Sequence, residues 1–139
     1  MRPEITLDQL NSFQKGTLLE TLDIQFTEIG ENFLKATMPV GPKVHQPMGL
    51  LHGGATVALA ETLGSVASFI YVNDPSRSCV GVEINANHVR SVKSGTVTGI
   101  VSPINLGKSL HVWDIRIHNE NDQLVSVCRL TVAVIERKK

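Results

Sequence analysis

Aromatic residues make up only 4% of the chain, four Phe, one Trp and one Tyr, too few for a surface that stacks nucleic-acid bases. Charge of one sign is also missing. Thirteen basic residues balance thirteen acidic ones, so no net field draws the protein to nucleic acid or to a membrane. Cysteine occurs only as Cys79 and Cys128, in strand-like apolar surroundings and outside any CxxC or Cys/His ligand spacing. That pattern predicts reduced core thiols, no metal site and a cytoplasmic compartment. The start, Met1-Arg2-Pro3-Glu4-Ile5, has no apolar segment of the secretory type. Glycine-rich phosphate loops of the P-loop or Rossmann kind are absent, as are internal repeats and low-complexity tracts.

What is present is an apolar fraction of 42% with 19% charged residues, the composition of a globular protein. Its 139 residues are expected to form a single domain with a real core, spanning 1–139. The stretch that organises the chain is Gln46-Pro47-Met48-Gly49-Leu50-Leu51-His52-Gly53-Gly54 and the apolar run after it to about Tyr71. Apolar residues fall on nearly every side of that run, which predicts a helix enclosed by protein. It is interrupted by Glu61, Thr62, Gly64 and Ser65, which argues against a membrane span. Between Lys43 and Arg77 there is no lysine or arginine, so Glu61 lacks a cationic partner nearby in sequence. An enclosed, unpaired carboxylate is costly and is retained where it has work to do.

Thr6-Leu7-Asp8-Gln9 has the form of a capping box and predicts a short helix to about Phe13. A hairpin follows, with strands over 22–29 and 33–38 and a turn at Gly30-Glu31-Asn32. The helix ends near Tyr71 before the turn cluster Asn73-Asp74-Pro75-Ser76. Four strand-like runs come next, over 78–89, 95–101, 110–118 and 124–135. A helix apolar all round needs a sheet on one side and another cover on the other, and a second copy of the chain is the economical one. The expectation is therefore an α+β fold, an antiparallel sheet wrapped on one long central helix, assembled as a homodimer.

The segment from Gln46 to Glu61, with His52-Gly53-Gly54 at the head of the helix, resembles the hotdog-fold acyl-CoA thioesterases. The likeness covers nearly the whole chain, from Ile5 to Val134. Within that family it is most similar to the group of phenylacetate-pathway and glutamate-using 4-hydroxybenzoyl-CoA thioesterases. Val82-Glu83-Ile84-Asn85-Ala86-Asn87-His88-Val89-Arg90-Ser91 draws it towards the naphthoyl-CoA thioesterases of menaquinone biosynthesis. The resemblance implies hydrolysis of an acyl-CoA thioester, favouring an aryl acyl group such as 1,4-dihydroxy-2-naphthoyl, to a carboxylic acid and coenzyme A. No cofactor is implied, because coenzyme A belongs to the substrate. It also implies dimers that commonly pair into homotetramers.

Thioester hydrolysis needs a donor to the carbonyl oxygen as it gains charge and a group that brings oxygen to the carbon. Gly53 begins the helix, where main-chain N–H groups are unpaired, and is the candidate oxyanion donor; a glycine serving only a tight turn is the alternative. Glu61 is the candidate nucleophile or general base; a carboxylate satisfied structurally is the alternative. The two are eight residues apart, about 12 Å along one helix at about 1.5 Å per residue. One carbonyl can hardly receive both from the same helix. Antiparallel helices across a two-fold axis would bring Gly53 of one subunit to Glu61 of the other, an arrangement the resemblance also implies.

Ser65 lies one turn beyond Glu61 on the same face; the resemblance implies that it holds the attacking water or orients the carboxylate, and the alternative is a serine bonding back to its own helix. Thr62 and Ser68 are weaker candidates of the same kind. The resemblance puts Gln46 beside the reacting group, and His52 either donates to the thioester or braces the loop. Gly81 and Val82 flank the acyl or pantetheine channel. His88, Val89, Arg90 and Ser91, with Lys93 near, match one region for the nucleotide arm, and Asn105-Leu106-Gly107-Lys108-Ser109-Leu110, between two strands, match another. Arg90 and Lys108 could pair with phosphates. Two rival readings accompany this one. A hotdog dehydratase or hydratase relies on a histidine paired with an acid in other motifs, and a non-catalytic acyl-CoA-binding domain would have no use for Glu61.

Overall fold

The structure, a computed structural model, describes residues 5–137. Its elements run α1 (Leu7–Ser12), α2 (Leu18–Thr21), β1 (Gln25–Ile29), β2 (Leu34–Val40), a short 3-10 turn (Pro42–Val44), α3 (Gly53–Val72), β3 (Arg77–His88), β4 (Gly95–Leu106), β5 (Leu110–His118) and β6 (Leu124–Glu136). The capping box forms as the sequence indicates: Gln9 N–H donates to Thr6 Oγ1 at 3.1 Å and Thr6 N–H to Gln9 Oε1 at 2.9 Å. α2 was not expected, since four residues are too few to leave a helical period in the sequence.

All six strands join one antiparallel sheet in the order β1-β2-β4-β5-β6-β3. β4 continues to Leu106 instead of ending at Val101. A register shift between Pro103 and Asn105 lets the strand carry a proline and still pair with β5. Asn105 and Leu106 are therefore strand residues, and the connection read as Asn105 to Leu110 shrinks to Gly107, Lys108 and Ser109.

α3 packs on one face of the sheet, against β2 to β6. Leu59, Ala60, Leu63, Ala67 and Ile70 recur at helical spacing and share a core with Trp113, Ile115, Ile117 and Leu130. The sequence predicted a helix enclosed on every side. In a single chain it is enclosed on one, because one sheet covers one face. Ala58, Glu61, Thr62 and Ser65 are half-buried and Phe69 is 47% exposed. Glu61 is accordingly half-exposed here. α3 has the length and apolarity of a membrane span, but its inner face is committed to the sheet.

The two sheet edges differ. Along β1, the side chain of Asn11 occupies the outer main-chain groups of Phe26: Phe26 N–H donates to Asn11 Oδ1 at 2.8 Å and Asn11 Nδ2–H to Phe26 O at 3.1 Å. Along β3 no strand pairs with the outer side among the described residues, and Val80 and Val82 stand 43% and 62% exposed. A long, apolar, open edge of this kind is a template for another chain.

One polar cluster lies inside the core. Trp113 Nε1–H donates to Ser68 Oγ at 2.7 Å, and Ser68 Oγ stands 2.8 Å from His111 Nδ1, all three side chains being at most 1% exposed. Burial holds the His111 pKa below its ordinary 6.5. The folded chain thus binds this proton less readily than the unfolded one. The stability it contributes is complete above 6.5 and is lost as pH falls below that value. Urea unfolding is expected to give a lower free energy at about pH 5 than at about pH 7, by no more than about 1.4 kcal/mol per unit from this group. His111→Asn should flatten that difference; an unchanged slope would clear His111 of it.

Candidate active site

The loop ahead of α3 is tied at both ends. His52 N–H donates to Val44 O at 2.8 Å and Leu51 N–H to Val92 O at 2.7 Å, so residues 44–52 fold back on themselves and onto the segment after β3. Gln46 turns its Oε1 into this loop, accepting from Met48 N–H at 2.5 Å and Leu50 N–H at 3.4 Å. Only an oxygen can accept there, so the amide NH2 is left to face the cleft as a donor. His52 caps the helix: its Nδ1 accepts from Gly54 N–H at 2.8 Å. A neutral imidazole accepting through Nδ1 carries its proton on Nε2, so His52 braces the helix start and keeps an exposed donor.

Gly53 N–H has no partner among the described residues. It opens into a cleft of about 380 Å³ lined by Gln46, Gly53, Thr56, His88, Val89, Arg90 and Ser91, with Leu50, Leu51 and Val125 as its apolar part. His88 Nδ1 lies 3.0 Å from Ser126 Oγ, which turns Nε2 towards the helix start. A Cβ on Gly53 would fall 2.8 Å from His88 Nε2, so a glycine is what lets the ring lie against the first turn.

Glu61 is absent from this cleft. Its carboxylate lies beside Gly81 of β3, where a Cβ would fall 2.6 Å from Oε2. Among the described residues Glu61 has neither a hydrogen bond nor an ion pair. It stands on the uncovered flank of α3, next to the open edge and Val82. Ser65 is half-buried one turn further on and has no hydrogen bond of its own side chain among the described residues. Ser68 is held in the core by Trp113 and His111, which removes it from the water-holding candidates.

The second region for the nucleotide arm lies at the far end of α3. Leu106, Gly107 and Lys108 border a cleft of about 290 Å³ with Tyr71, Val72, Asp74, Arg77 and His111. One chain therefore gathers Gln46, Gly53 and residues 88–91, and separates them from Glu61 and from residues 105–110. Sequence reasoning missed Thr56, Val125 and Ser126 around the first cleft. Thr56 was accessible to it, since it lies one turn after His52 on the buried face. Ser126 was not, being 38 residues from the histidine it holds.

Burial pushes the pKa of both Cys79 and Cys128 up, so neither thiol is poised as a thiolate nucleophile. Among the described residues no three His, Cys, Asp or Glu side chains are gathered as metal ligands.

A six-stranded antiparallel sheet packed on one long helix, with a cleft at the amide-rich end of that helix, defines the hotdog class of α+β enzymes. The chain belongs to the thioesterase superfamily, whose sequence profile matches residues 48–126, and it is a thioester hydrolase. It is similar to the 1,4-dihydroxy-2-naphthoyl-CoA hydrolase of Escherichia coli, 47% identical over 132 residues that cover 95% of this chain and 96% of that one. It is also similar to the proofreading thioesterase EntH of Cronobacter turicensis, 46% identical over 131 residues and covering 94% and 95%. Among solved structures, a thioesterase of Pseudomonas aeruginosa carrying a glutamine-to-alanine substitution superposes with a TM-score of 0.95 at 45% identity, over 98% of each chain.

Proposed function

We propose that this protein hydrolyses an aryl acyl-CoA thioester at a site shared between two subunits, with Glu61 from one and the start of α3 from the other. The observation that carries the reading is the state of Glu61: a carboxylate without a partner among the described residues, on a helix flank that one chain leaves uncovered, beside an open sheet edge. Its own Gly53 is eight residues away, about 12 Å along the helix, so the complementary donor has to come from a second copy. The β3 edge with Val80 and Val82, and Phe69 on α3, supply apolar surface for that copy.

In this reading the thioester oxygen accepts from Gly53 N–H, and the Gln46 amide and His52 Nε2–H are the neighbouring donors. Glu61 takes a proton from water, whose hydroxyl adds to the carbonyl carbon; the C–S bond breaks and the thiolate sulfur receives the proton. Attack by the carboxylate itself is the other route open to Glu61. Ser65 is suited to hold the water. Gly81 and Val82 flank the acyl group, and the nucleotide arm is received by His88 to Ser91 and by residues 105–110, with Arg90 and Lys108 towards phosphate. No metal or separate cofactor is assigned. The relative named for a naphthoyl-CoA supports an aryl acyl group. The assembly proposed is a cytoplasmic dimer that pairs again into a tetramer.

Subunit mixing tests the shared site. Glu61→Gln and Gly53→Pro each disable one half, and a hybrid dimer contains one site with both halves intact. Co-refolding the two inactive variants is expected to restore up to about a quarter of wild-type turnover, since half of random dimers are hybrids with one good site each. Verified exchange without any recovery would overturn the shared site.

A further inference from the structure

The buried cluster of Ser68, His111 and Trp113 has no part in the chemistry proposed above, yet it keeps three polar groups in an apolar core. Ser68 sits near the end of α3, His111 and Trp113 on β5. Ser68 Oγ accepts from Trp113 Nε1–H at 2.7 Å, so its single proton is free to go to His111 Nδ1, 2.8 Å away. That makes His111 neutral with its proton on Nε2; across the strands His111 pairs with Leu106, and its ring borders the same cleft as Gly107. Tyr71 meets the ring edge-on, with centroids 5.4 Å apart, and Trp113 does so at 6.1 Å. One hydrogen bond and two ring contacts thereby hold the imidazole beside the residues that lead into the loop 107–109.

The same loop is held from two other sides. Arg77 Nη2–H donates to Lys108 O at 2.9 Å, and Val134 N–H donates to Ser109 O at 2.9 Å. All these bonds go to main chain. The Lys108 ammonium is left exposed, without ion pair or hydrogen bond among the described residues, at the rim of the cleft of about 290 Å³. Apolar side chains could fill the space taken by Ser68 and His111, but would not fix a loop's angle as a directional chain of bonds does.

We infer that the Ser68–His111–Trp113 chain is a positioning device, setting the loop 107–109 from the core so that Lys108 meets the phosphates of the substrate's coenzyme A. This rests on the acyl-CoA reading above. Ser68 and Trp113 lie outside the cleft that Lys108 borders and His111 borders it almost wholly buried, so their effect is expected on the part of the substrate that the loop reaches.

The test compares benzoyl-CoA with benzoyl-pantetheine, which carries the same thioester and no nucleotide. Ser68→Ala is expected to raise KM for benzoyl-CoA about tenfold with kcat within about twofold, and to leave both constants for benzoyl-pantetheine unchanged. Lys108→Ala should show the same split. Should Ser68→Ala not fold, Trp113→Phe, which keeps one aromatic ring and removes the indole N–H that Ser68 accepts from, takes its place with the same expectation. A relay variant that affects both substrates alike, while Lys108→Ala still distinguishes them, would make the cluster merely structural and overturn the inference but not the loop's assignment. No split in Lys108→Ala either would overturn the inference together with that assignment, while turnover of both esters would leave thioester hydrolysis standing.

Discussion

Glu61→Gln is expected to fold, to bind acyl-CoA and to lose about 10²- to 10⁴-fold in kcat, the range typical of a removed general base. Glutamine keeps the volume and the polar atoms of the side chain but cannot take a proton from water. Stability should change little, because the carboxylate has no ion pair or hydrogen bond among the described residues to lose. The loss therefore belongs in kcat, with KM within about threefold. Steady-state kinetics with an aryl-CoA ester and a thermal melt of the same sample check both halves. A kcat within about tenfold of wild type would remove Glu61 from the chemistry.

Gly53→Pro is expected to cost about 10²- to 10³-fold in kcat, the effect of deleting one oxyanion donor, without unfolding α3. Proline lacks the N–H, and the first helical position is where a helix best tolerates that. The preceding residue already suits it. His52 has φ −68° and ψ 131°, within the extended region that proline demands of its predecessor. The new Cβ would crowd His88 Nε2 at 2.8 Å, and the end of that exposed side chain can swing away. Gly53→Ala is the control, since it brings the same Cβ and keeps the N–H. Equal losses in the two variants would assign the effect to crowding and leave Gly53 without a role as donor.

Much of this was legible in the sequence, for identifiable reasons. The apolar run after His52-Gly53-Gly54, closed by Asn73 in the left-handed region at φ 48°, gave α3 nearly to the residue. Alternating apolar residues gave β5 as 110–118 without error. The family resemblance rested on the same stretch, and the thioesterase profile covers it. What stayed hidden depends on strand order, which periodicity does not encode. Periodicity shows that a strand has two faces; it does not show that, among the described residues, β3 pairs with β6 alone and ends the sheet. For the same reason it could not tell that residues 105–110 and the head of α3 lie at opposite ends of one helix. Nor could it foresee contacts such as Ser68 with His111, 43 residues apart.

The unequal rims of the sheet carry one more consequence. Asn11 already plugs the hydrogen-bonding groups of Phe26 at one rim, while the outer side of β3 at the other pairs with no strand among the described residues. Two copies meeting through their β3 edges would leave the β1 rims facing outward, where the main-chain groups of Phe26 are already taken. Strand-by-strand growth beyond two chains would then meet an edge already partly occupied by the chain's own Asn11, which disfavours fibres by that route.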